Sequence, residues 1–506
     1  MIANQDVNAA ANDFFFTNSA GSRVNSTDFA KSLLAEAVEP FDEALAKSIR
    51  AEGNWRKNYQ RYFYAVGGLE FSDRNAGFEI SLSGLSQLGG LIVNSNGQSL
   101  AALAKAGFAT KAQVRTIRIK GEGVPQNYWV ESKQPLSDVA GSWRARGLAE
   151  SDVVSAFEFL EQHPDLKIEG DLLVALAGNA ELSATKDWLS LGGRVAVVAR
   201  QNSKVWRELI EFAKRSAGEL LIPVSNLHQL ANDANDDQIA DVAGLNFVAD
   251  IEKTASWIHD LSRFDARLVL ASYAYIGGSK QIIAQAAQDA LVAVTCENLA
   301  KARVALSWLA TPLDIVNAEP AIADKQFAAY EIRSALEKLR DAVWSLFGQL
   351  KPARPGIIEV GTEPFAIFDA SSVRQGSSYL LAKHSEKWRA LVAARQGHLT
   401  SFTVAPPART RSVLRVKILA KTYRGLPRFA VEPFDAKATS RAMALILLRN
   451  LHDPESPAAP QNSAKSPLAM VSATAIHGGV WRLGYHPETI WVPATVLGWF
   501  AKATRR

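Results

Sequence analysis

The chain has 506 residues, of which 48% are hydrophobic and 21% are charged, and its formal net charge is +5. This composition excludes a disordered or fibrous protein, and the length predicts two or three domains. The small net charge and the absence of long basic runs argue against a dedicated nucleic-acid-binding protein. The single cysteine, Cys296, excludes an internal disulfide framework.

The sequence gives no sign of export or of membrane insertion. The first residues lack the basic start and apolar core of a secretory signal. The longest apolar runs fall well short of the roughly 20 residues that a spanning helix needs. We therefore expect a cytoplasmic protein without a membrane-spanning helix, and membrane association is not favoured.

Residues 1–165 are predicted to form an α+β region of their own. Residues 29–51 have an amphipathic helical pattern broken by a proline, and residues 114–120 alternate as a strand does. The glycine- and serine-rich residues 68–95 favour short strands and turns. A helical pattern over residues 149–163 closes the region, which carries no recognisable chemistry and suits a role in assembly.

Residues 166–420 alternate apolar strand-like runs with helical patterns, which is typical of a parallel α/β sheet. We expect a Rossmann-like, doubly wound sheet. Its strands are predicted at residues 171–177, 194–199, 219–224, 266–272 and 354–362. Helices are predicted at residues 183–191, 205–216, 281–296 and 327–350, and the acidic residues 226–250 are expected to be a loop-like insertion.

A tyrosine and a lysine open the helix that follows the predicted strand at residues 354–362. Tyr379 and Lys383 are four residues apart and therefore share one helical face, with about 5–6 Å between their Cβ atoms. An ammonium beside a phenol favours the tyrosinate and lowers the phenol pKa. Tyr379 is then suited to exchange a proton with a substrate oxygen.

Three features together resemble the short-chain dehydrogenase/reductase family: the strand–helix units of residues 171–224, the Tyr379/Lys383 pair, and residues 402–410 after it. The resemblance covers roughly 240 residues. It implies an NADP(H)-dependent carbonyl reductase, possibly acting on acyl-linked substrates, as ketoreductase or enoyl-reductase domains of fatty-acid metabolism do. It makes Tyr379 and Lys383 catalytic, and Thr362 the hydroxyl that polarises the carbonyl. Four serines are alternatives to Thr362: Ser371, Ser372, Ser377 and Ser378.

The same resemblance assigns cofactor binding to the turn after the first strand. The family carries three glycines there, because bare backbone must approach the pyrophosphate. Gly178 is the first of the three, whereas Leu182 and Ala184 occupy the other two positions. Ser183 is expected to cap the next helix and to donate a hydrogen bond to a phosphate.

Two further residues complete the predicted cofactor site. Arg200 ends the second strand, where a basic side chain favours the 2′-phosphate of NADP(H) over the bare ribose of NAD. Thr410 matches the threonine of the family's turn after the last strand. Pro407 departs from that turn, because it replaces the expected glycine and restricts the backbone.

Other interpretations remain open. Tyr273 and Lys280 have the wider spacing of enoyl-carrier-protein reductases, and a strand-like run at residues 302–309 follows them before Thr311 and Pro312. The degenerate glycine loop is compatible with a catalytically inactive, structural or partner-binding subunit of a larger assembly. The eight histidines show no paired metal-binding spacing, so we expect no metal site.

Residues 421–506 are predicted to be a C-terminal extension. A helix is expected at residues 436–450 and an exposed, proline-rich loop at residues 452–467. The tail, residues 490–506, combines Trp and Phe with basic residues. We expect it to be a docked terminal helix, with contact to a membrane or a partner as the alternative. A homo-oligomer or a subunit of a complex is expected.

Overall fold

The computed structural model describes residues 14–110, 114–129, 133–225, 230–231, 233–318, 320–353, 355–360 and 363–501. The strands are β1 (Phe14–Thr17), β2 (Arg23–Val24), β3 (Ile92–Asn94), β4 (Arg115–Lys120), β5 (Asp171–Leu176), β6 (Arg194–Val198), β7 (Glu219–Val224), β8 (Arg267–Ser272), β9 (Val304–Ala310), β10 (Ile315–Ala318), β11 (Gly356–Val360), β12 (Glu363–Asp369), β13 (Leu399–Val404), β14 (Ala408–Arg409) and β15 (Phe434–Asp435).

The helices are α1 (Ser26–Val38), α2 (Glu43–Ala51), α3 (Trp55–Ser72), α4 (Arg74–Gly90), α5 (Leu100–Phe108), α6 (Leu136–Ala145), α7 (Ser151–Gln162), α8 (Thr185–Ser190), α9 (Ser203–Arg215), α10 (Asp236–Val242), α11 (Ile251–Leu261), α12 (Lys280–Asn298), α13 (Pro320–Glu331), α14 (Ala335–Ser345), α15 (Ser377–Arg395), α16 (Arg411–Arg415), α17 (Lys417–Gly425), α18 (Ala436–His452), α19 (Pro460–Lys465), α20 (Pro467–Ser472) and α21 (Trp491–Phe500). Short 3-10 turns lie at Lys301–Arg303, Leu426–Phe429, Val480–Arg482 and Pro487–Ile490.

The core of the molecule is a seven-stranded sheet with the order β13-β9-β8-β5-β6-β7-β4. Its first six strands run parallel, and β4 pairs antiparallel with β7 at the edge. The central strand β5 is buried along its whole length, as expected for a strand covered on both faces. The predicted α/β class is confirmed.

Helices cover both faces of this sheet. Along β5, Leu172 and Val174 point into one core, which α4, α5, α11, α12 and α15 complete. Leu173 and Ala175 point into the other core, with α6, α7, α8, α9 and α18. This alternation follows from the two-residue period of a strand, which sends successive side chains to opposite faces.

The stretch of chain between β9 and α15 forms a second, separate sheet. Its three strands have the order β10-β12-β11 and are antiparallel, and the same stretch also contains α13 and α14. The prediction that residues 354–362 form the last parallel strand before Tyr379 is therefore wrong, because β11 belongs to this smaller sheet. The predicted long helix at residues 327–350 is also wrong, since Ser334 forms a capping box that starts α14.

The glycine- and serine-rich residues 68–95 form mostly helix, not strands and turns. They lie largely within α3 and α4, followed by the short strand β3. The glycines serve close packing instead: a Cβ at Gly84 would lie 2.3 Å from the Trp388 ring, and one at Gly77 would lie 2.4 Å from the Glu70 carbonyl oxygen. Composition alone does not separate glycines of this kind from glycines in turns.

The C-terminal helix predictions hold, because α18 and α21 form where expected and α21 docks against α17. Two loop predictions are wrong. Residues 452–467 contain α19 and several buried residues, and residues 226–250 contain α10, although residues 226–229 and 232 lie outside the described residues. In the described part of the chain, no helix is long and apolar enough to cross a bilayer.

Candidate active site

The carboxyl ends of the parallel strands bring the candidate site residues together. The Tyr273 N–H, just after β8, donates to the Leu176 carbonyl at the end of β5. Thr311 directly follows β9, and Tyr379 is the third residue of α15. In open α/β sheets ligands bind in the crevice outside these strand ends.

The Thr311 hydroxyl lies near the Tyr379 phenol and acts to lower its pKa. The Thr311 hydroxyl also accepts a hydrogen bond of 3.2 Å from the Leu313 N–H, which fixes its position. The ring of Tyr275 packs edge-on against Tyr379, with 5.8 Å between ring centroids and 72° between planes. The site therefore pairs a fixed hydroxyl with a half-buried phenol.

Sequence reasoning missed Thr311 as a partner of Tyr379. It looked for a hydroxyl close to Tyr379 in the sequence, whereas the small sheet and α13 and α14 separate the two residues by 68 positions (379 − 311). A signal was available, because residues 302–309 were predicted to be a strand and a threonine follows it. That strand is β9, the neighbour of β13 in the large sheet.

The sequence predicted other hydroxyls for the role of polarising the carbonyl, namely Thr362 and four serines. Thr362 lies outside the described residues. The Ser371 hydroxyl donates to Asp369 at 2.5 Å, and the Ser372 hydroxyl donates to Glu488 at 2.6 Å. Ser377 and Ser378 open α15 just before Tyr379 and are half-buried.

Lys383 lies one turn after Tyr379 and is largely buried. Its Nζ lies 2.9 and 3.0 Å from the two carboxylate oxygens of Glu386 and 3.3 Å from the Leu309 carbonyl oxygen. Burial raises the pKa of Glu386 to about 7, although the Lys383 ammonium opposes the rise. The lysine thus has a carboxylate partner that the sequence pattern did not reveal.

The expected lowering of the Tyr379 pKa does not occur. Burial raises the pKa of this phenol well above its usual value, while the nearby Thr311 hydroxyl works in the opposite direction. The ammonium of Lys383 lies within salt-bridge distance of Glu386, a carboxyl that is about half ionised at neutral pH. Tyr379 is consequently a protonated phenol at neutral pH.

The loop after β5 is stabilised by contacts within itself. The Ser183 hydroxyl donates to the Gly178 carbonyl at 2.7 Å, and Ser183 is buried. Ser183 does not cap the next helix as expected, because α8 begins at Thr185 and is preceded by Ala184, which has no capping side chain. A Cβ at Gly178 would lie 2.8 Å from the Ala175 side chain, which explains the glycine.

Arg200 and Thr410 lie after two strands of the large sheet, as predicted. The Arg200 residue follows β6, and its carbonyl accepts a hydrogen bond of 3.1 Å from the Trp206 indole. The Thr410 hydroxyl caps α16. Beside it, the Arg411 N–H donates at 2.9 Å to a carboxylate oxygen of Glu181, so the turn after β13 contacts the Gly178 loop.

Two buried hydroxyls at this edge of the sheet test the fit of a dinucleotide. Thr185 Oγ1 lies beside Gly178, and Ser272 Oγ lies at the end of β8. Neither oxygen has a hydrogen-bond partner among the residues that the structure describes. Buried hydroxyls normally find a partner, so a polar ligand at this edge fits the residues present.

The second tyrosine–lysine pair has a different setting. Tyr273 is 8% exposed and lies near the Ala184 backbone, and burial raises its pKa. Tyr273 thus lies beside the Gly178 loop. Lys280 opens α12. Within the described ranges, no group of His, Cys, Asp or Glu side chains is arranged to hold a metal ion.

A buried charged cluster lies beneath the site. His384 Nε2 lies 3.0 Å from a carboxylate oxygen of Glu70, and Lys387 Nζ lies 2.8 Å from Asp314. Burial lowers the pKa of His384, but the carboxylates of Glu70 and Asp314 outweigh it and raise that pKa to about 8. These groups come from α3, α15 and the β9–β10 turn, so no local sequence pattern indicates the cluster.

Comparison with known proteins gave no match: no protein-family model, no curated protein and no solved structure matches this chain.

Proposed function

We propose that this chain is an NADP(H)-dependent carbonyl reductase of the short-chain dehydrogenase type, built on a Rossmann-like sheet. The placement of Thr311 near Tyr379, at the carboxyl end of β9, carries the proposal. The strand order supports it, because β7-β6-β5-β8-β9-β13 is the 3-2-1-4-5-6 order of dinucleotide-binding sheets.

Each residue of the candidate site has its own role in the proposed reaction. NADP(H) supplies the hydride when bound. Tyr379, a phenol that is protonated at neutral pH, gives its proton to the carbonyl oxygen of the substrate. Thr311 holds that oxygen by a hydrogen bond, and Lys383 orients the cofactor ribose. Arg200 binds the 2′-phosphate, and the backbone of the Gly178 loop contacts the pyrophosphate, with Ser183 and Thr410 flanking it.

We further infer an acyl-linked or other small carbonyl substrate, a cytoplasmic location, and a homo-oligomer or a subunit of a larger complex. Tyr275, Thr311 and Tyr379 follow the carboxyl ends of the parallel strands, which is where ligands bind in open α/β sheets.

Cofactor binding is the first test. NADPH and NADH are titrated by calorimetry into the full chain, Lys383→Ala and the control Lys57→Ala, an exposed lysine on α3. We expect NADPH to bind more tightly than NADH, and Lys383→Ala to weaken binding at least about tenfold. The control should bind as the wild type does. No binding of either cofactor at millimolar concentration would show that the proposal is wrong.

Catalysis is the second test, with NADPH oxidation followed on an acetoacetyl thioester and a panel of ketones. Tyr379→Phe should lower kcat by about 10²–10⁴-fold while NADPH binding stays intact, because the proton donor alone is lost. Tyr275→Phe is the matched control, since Tyr275 packs against Tyr379 and is 68% exposed. Equal activity of Tyr379→Phe and the wild type would refute the assignment.

A second candidate function is a catalytically inactive, structural or partner-binding subunit. Two contacts favour it: the Lys383–Glu386 pair, which occupies the lysine, and the Glu181–Arg411 contact, which ties the Gly178 loop to the turn after β13. This candidate predicts that neither cofactor binds and that Lys383→Ala leaves the chain otherwise unchanged. The titration above therefore separates the two functions.

A further inference from the structure

One surface of the protein exposes apolar side chains in an unusual concentration. Three of them lie on α16 and α17 and in the link between these helices: Leu414, Val416 and Ile418, the last of which is 63% exposed. Four more lie on α21: Val492, Val496, Trp499 and Phe500. Because α17 and α21 pack against each other, these seven side chains form one surface, which we call the docking face. Such a patch normally marks an interaction site.

Basic residues alternate with these apolar ones. The segment 411–431 contains six basic residues and no acidic one: Arg411, Arg415, Lys417, Lys421, Arg424 and Arg428. The ammonium of Lys421 lies 4.9 Å from the centre of the Trp499 ring, so this cation lies over the face of the aromatic ring. Exposed Leu, Ile, Trp and Phe beside Lys and Arg are typical of helices that lie in a membrane interface.

The docking face extends towards a neighbouring apolar helix. A cleft joins α21 to α14 and is lined by Glu337, Arg340, Arg428, Leu497, Phe500 and Ala501. Leu336 of α14 is 79% exposed, and Leu339 and Val343 on the same helix are exposed too. The apolar area therefore continues past the cleft, and the cleft itself carries two arginines and one glutamate.

The helix α17 connects the docking face to the candidate active site. Tyr423 on its inner side is half-buried, and burial raises its pKa to about 12, with Tyr379 and Tyr275 as the neighbouring phenols. Ile418, five residues earlier, points outward. A single helix thus contacts the site on one side and presents apolar side chains to the surroundings on the other.

We propose that the docking face binds the surface of an anionic lipid bilayer. The cations meet the lipid phosphates, and Trp499, Phe500, Leu414 and Ile418 enter the headgroup region. Charge decides for this occupant over a second copy of the chain, because two copies of a surface with six cations and no carboxylate in its main segment repel each other. Lipid binding does not depend on the proposed reductase activity.

The test is flotation of the full chain with two kinds of vesicle at about physiological ionic strength. One kind is phosphatidylcholine with about 30% phosphatidylglycerol, and the other is phosphatidylcholine alone. We expect binding to the anionic vesicles only, and loss of binding in high salt. Trp499→Ser/Phe500→Ser should weaken binding at least about tenfold. Lys417→Glu/Arg424→Glu should weaken it by about fivefold or more for each cation.

The controls are Arg56→Glu/Lys57→Glu and Phe41→Ser, which change exposed basic and aromatic residues far from the docking face in the sequence. They should float as the wild type does, and circular dichroism confirms that every variant is folded. Failure of the wild type to bind anionic vesicles, or unchanged binding by both docking-face variants, overturns the proposal. If light scattering shows a dimer that the same variants dissociate without changing flotation, the face is a self-interface and the proposal is also overturned.

Discussion

At the scale of single residues, burial sets the chemistry of the site. Burial raises the pKa of the Tyr379 phenol further above its ordinary value of 10, and it raises the pKa of the Glu386 carboxyl to about 7. A protonated phenol suits the reduction of a carbonyl, which needs a proton donor, better than the oxidation of an alcohol. The contact that assembles the site, Thr311 with Tyr379, joins residues that the sequence keeps far apart.

The buried His384 predicts a loss of stability at alkaline pH. Its pKa is about 8 in the folded chain, above the ordinary value of 6.5, so the folded state holds a proton that the unfolded state releases earlier. The contribution is complete below pH 6.5 and is lost as the pH rises through 8. We expect the free energy of unfolding to fall by about 2 kcal/mol between pH 6.5 and 9 from this group.

Urea unfolding at pH 6.5 and 9 measures this effect. His384→Gln should lose most of the pH dependence over this range, whereas His163→Gln, which changes an exposed histidine, should keep it. Glu386, whose pKa of about 7 lies within this range, adds a smaller loss of stability that both variants retain. An identical pH dependence in His384→Gln and the wild type would contradict the assignment of the proton to His384.

At the scale of elements, apolar runs predicted the strands of the large sheet well, whereas a glycine-rich composition did not predict turns. The strands at residues 171–177, 194–199, 219–224 and 266–272 formed within a residue or two of their predicted bounds, because a buried parallel strand is a short, continuous apolar run. The pattern at residues 354–362 also marked a strand. It could not show which sheet the strand joins, since pairing depends on contacts distant in the sequence.

The packing of α4 on α15 predicts a sharp effect at one glycine. In Gly84→Ala the new methyl group would lie 2.3 Å from the ring of Trp388, which is fully buried and donates to Glu70. We expect a loss of about 1–3 kcal/mol in thermal or urea unfolding. Gly68→Ala in α3 is the control, because nothing lies within 4 Å of its new methyl group. It should be neutral or stabilise by about 0.5–1 kcal/mol.

At the scale of the whole molecule, both flanks of the chain complete the central sheet. The first part supplies β4, which pairs with β7 along six residues. The last part supplies α18, where the Leu451 carbonyl accepts from Arg267 at 3.0 Å and His452 lies 2.9 Å from Asp171. The sequence pointed to three successive regions, because composition changes along the chain do not reveal a strand that crosses from one region to another.

This shared construction predicts how fragments behave. Residues 166–420 expressed alone lack both β4 and α18, so one sheet edge and much of one sheet face are open to water. We expect no cooperative thermal transition by circular dichroism and strong aggregation, while the full chain melts cooperatively. A sharp, reversible transition of the fragment would instead show that the central region is an autonomous domain.

The edge strand β4 also has a consequence for the order of events during synthesis. It leaves the ribosome about 100 residues before its partner β7. At typical translation rates this strand waits for about 5–20 s without a hydrogen-bonding neighbour. Slower elongation lengthens that exposure, and faster initiation brings more nascent chains with unpaired strands close together. The yield of native protein should therefore depend on the rate of expression and on chaperones that shield extended segments.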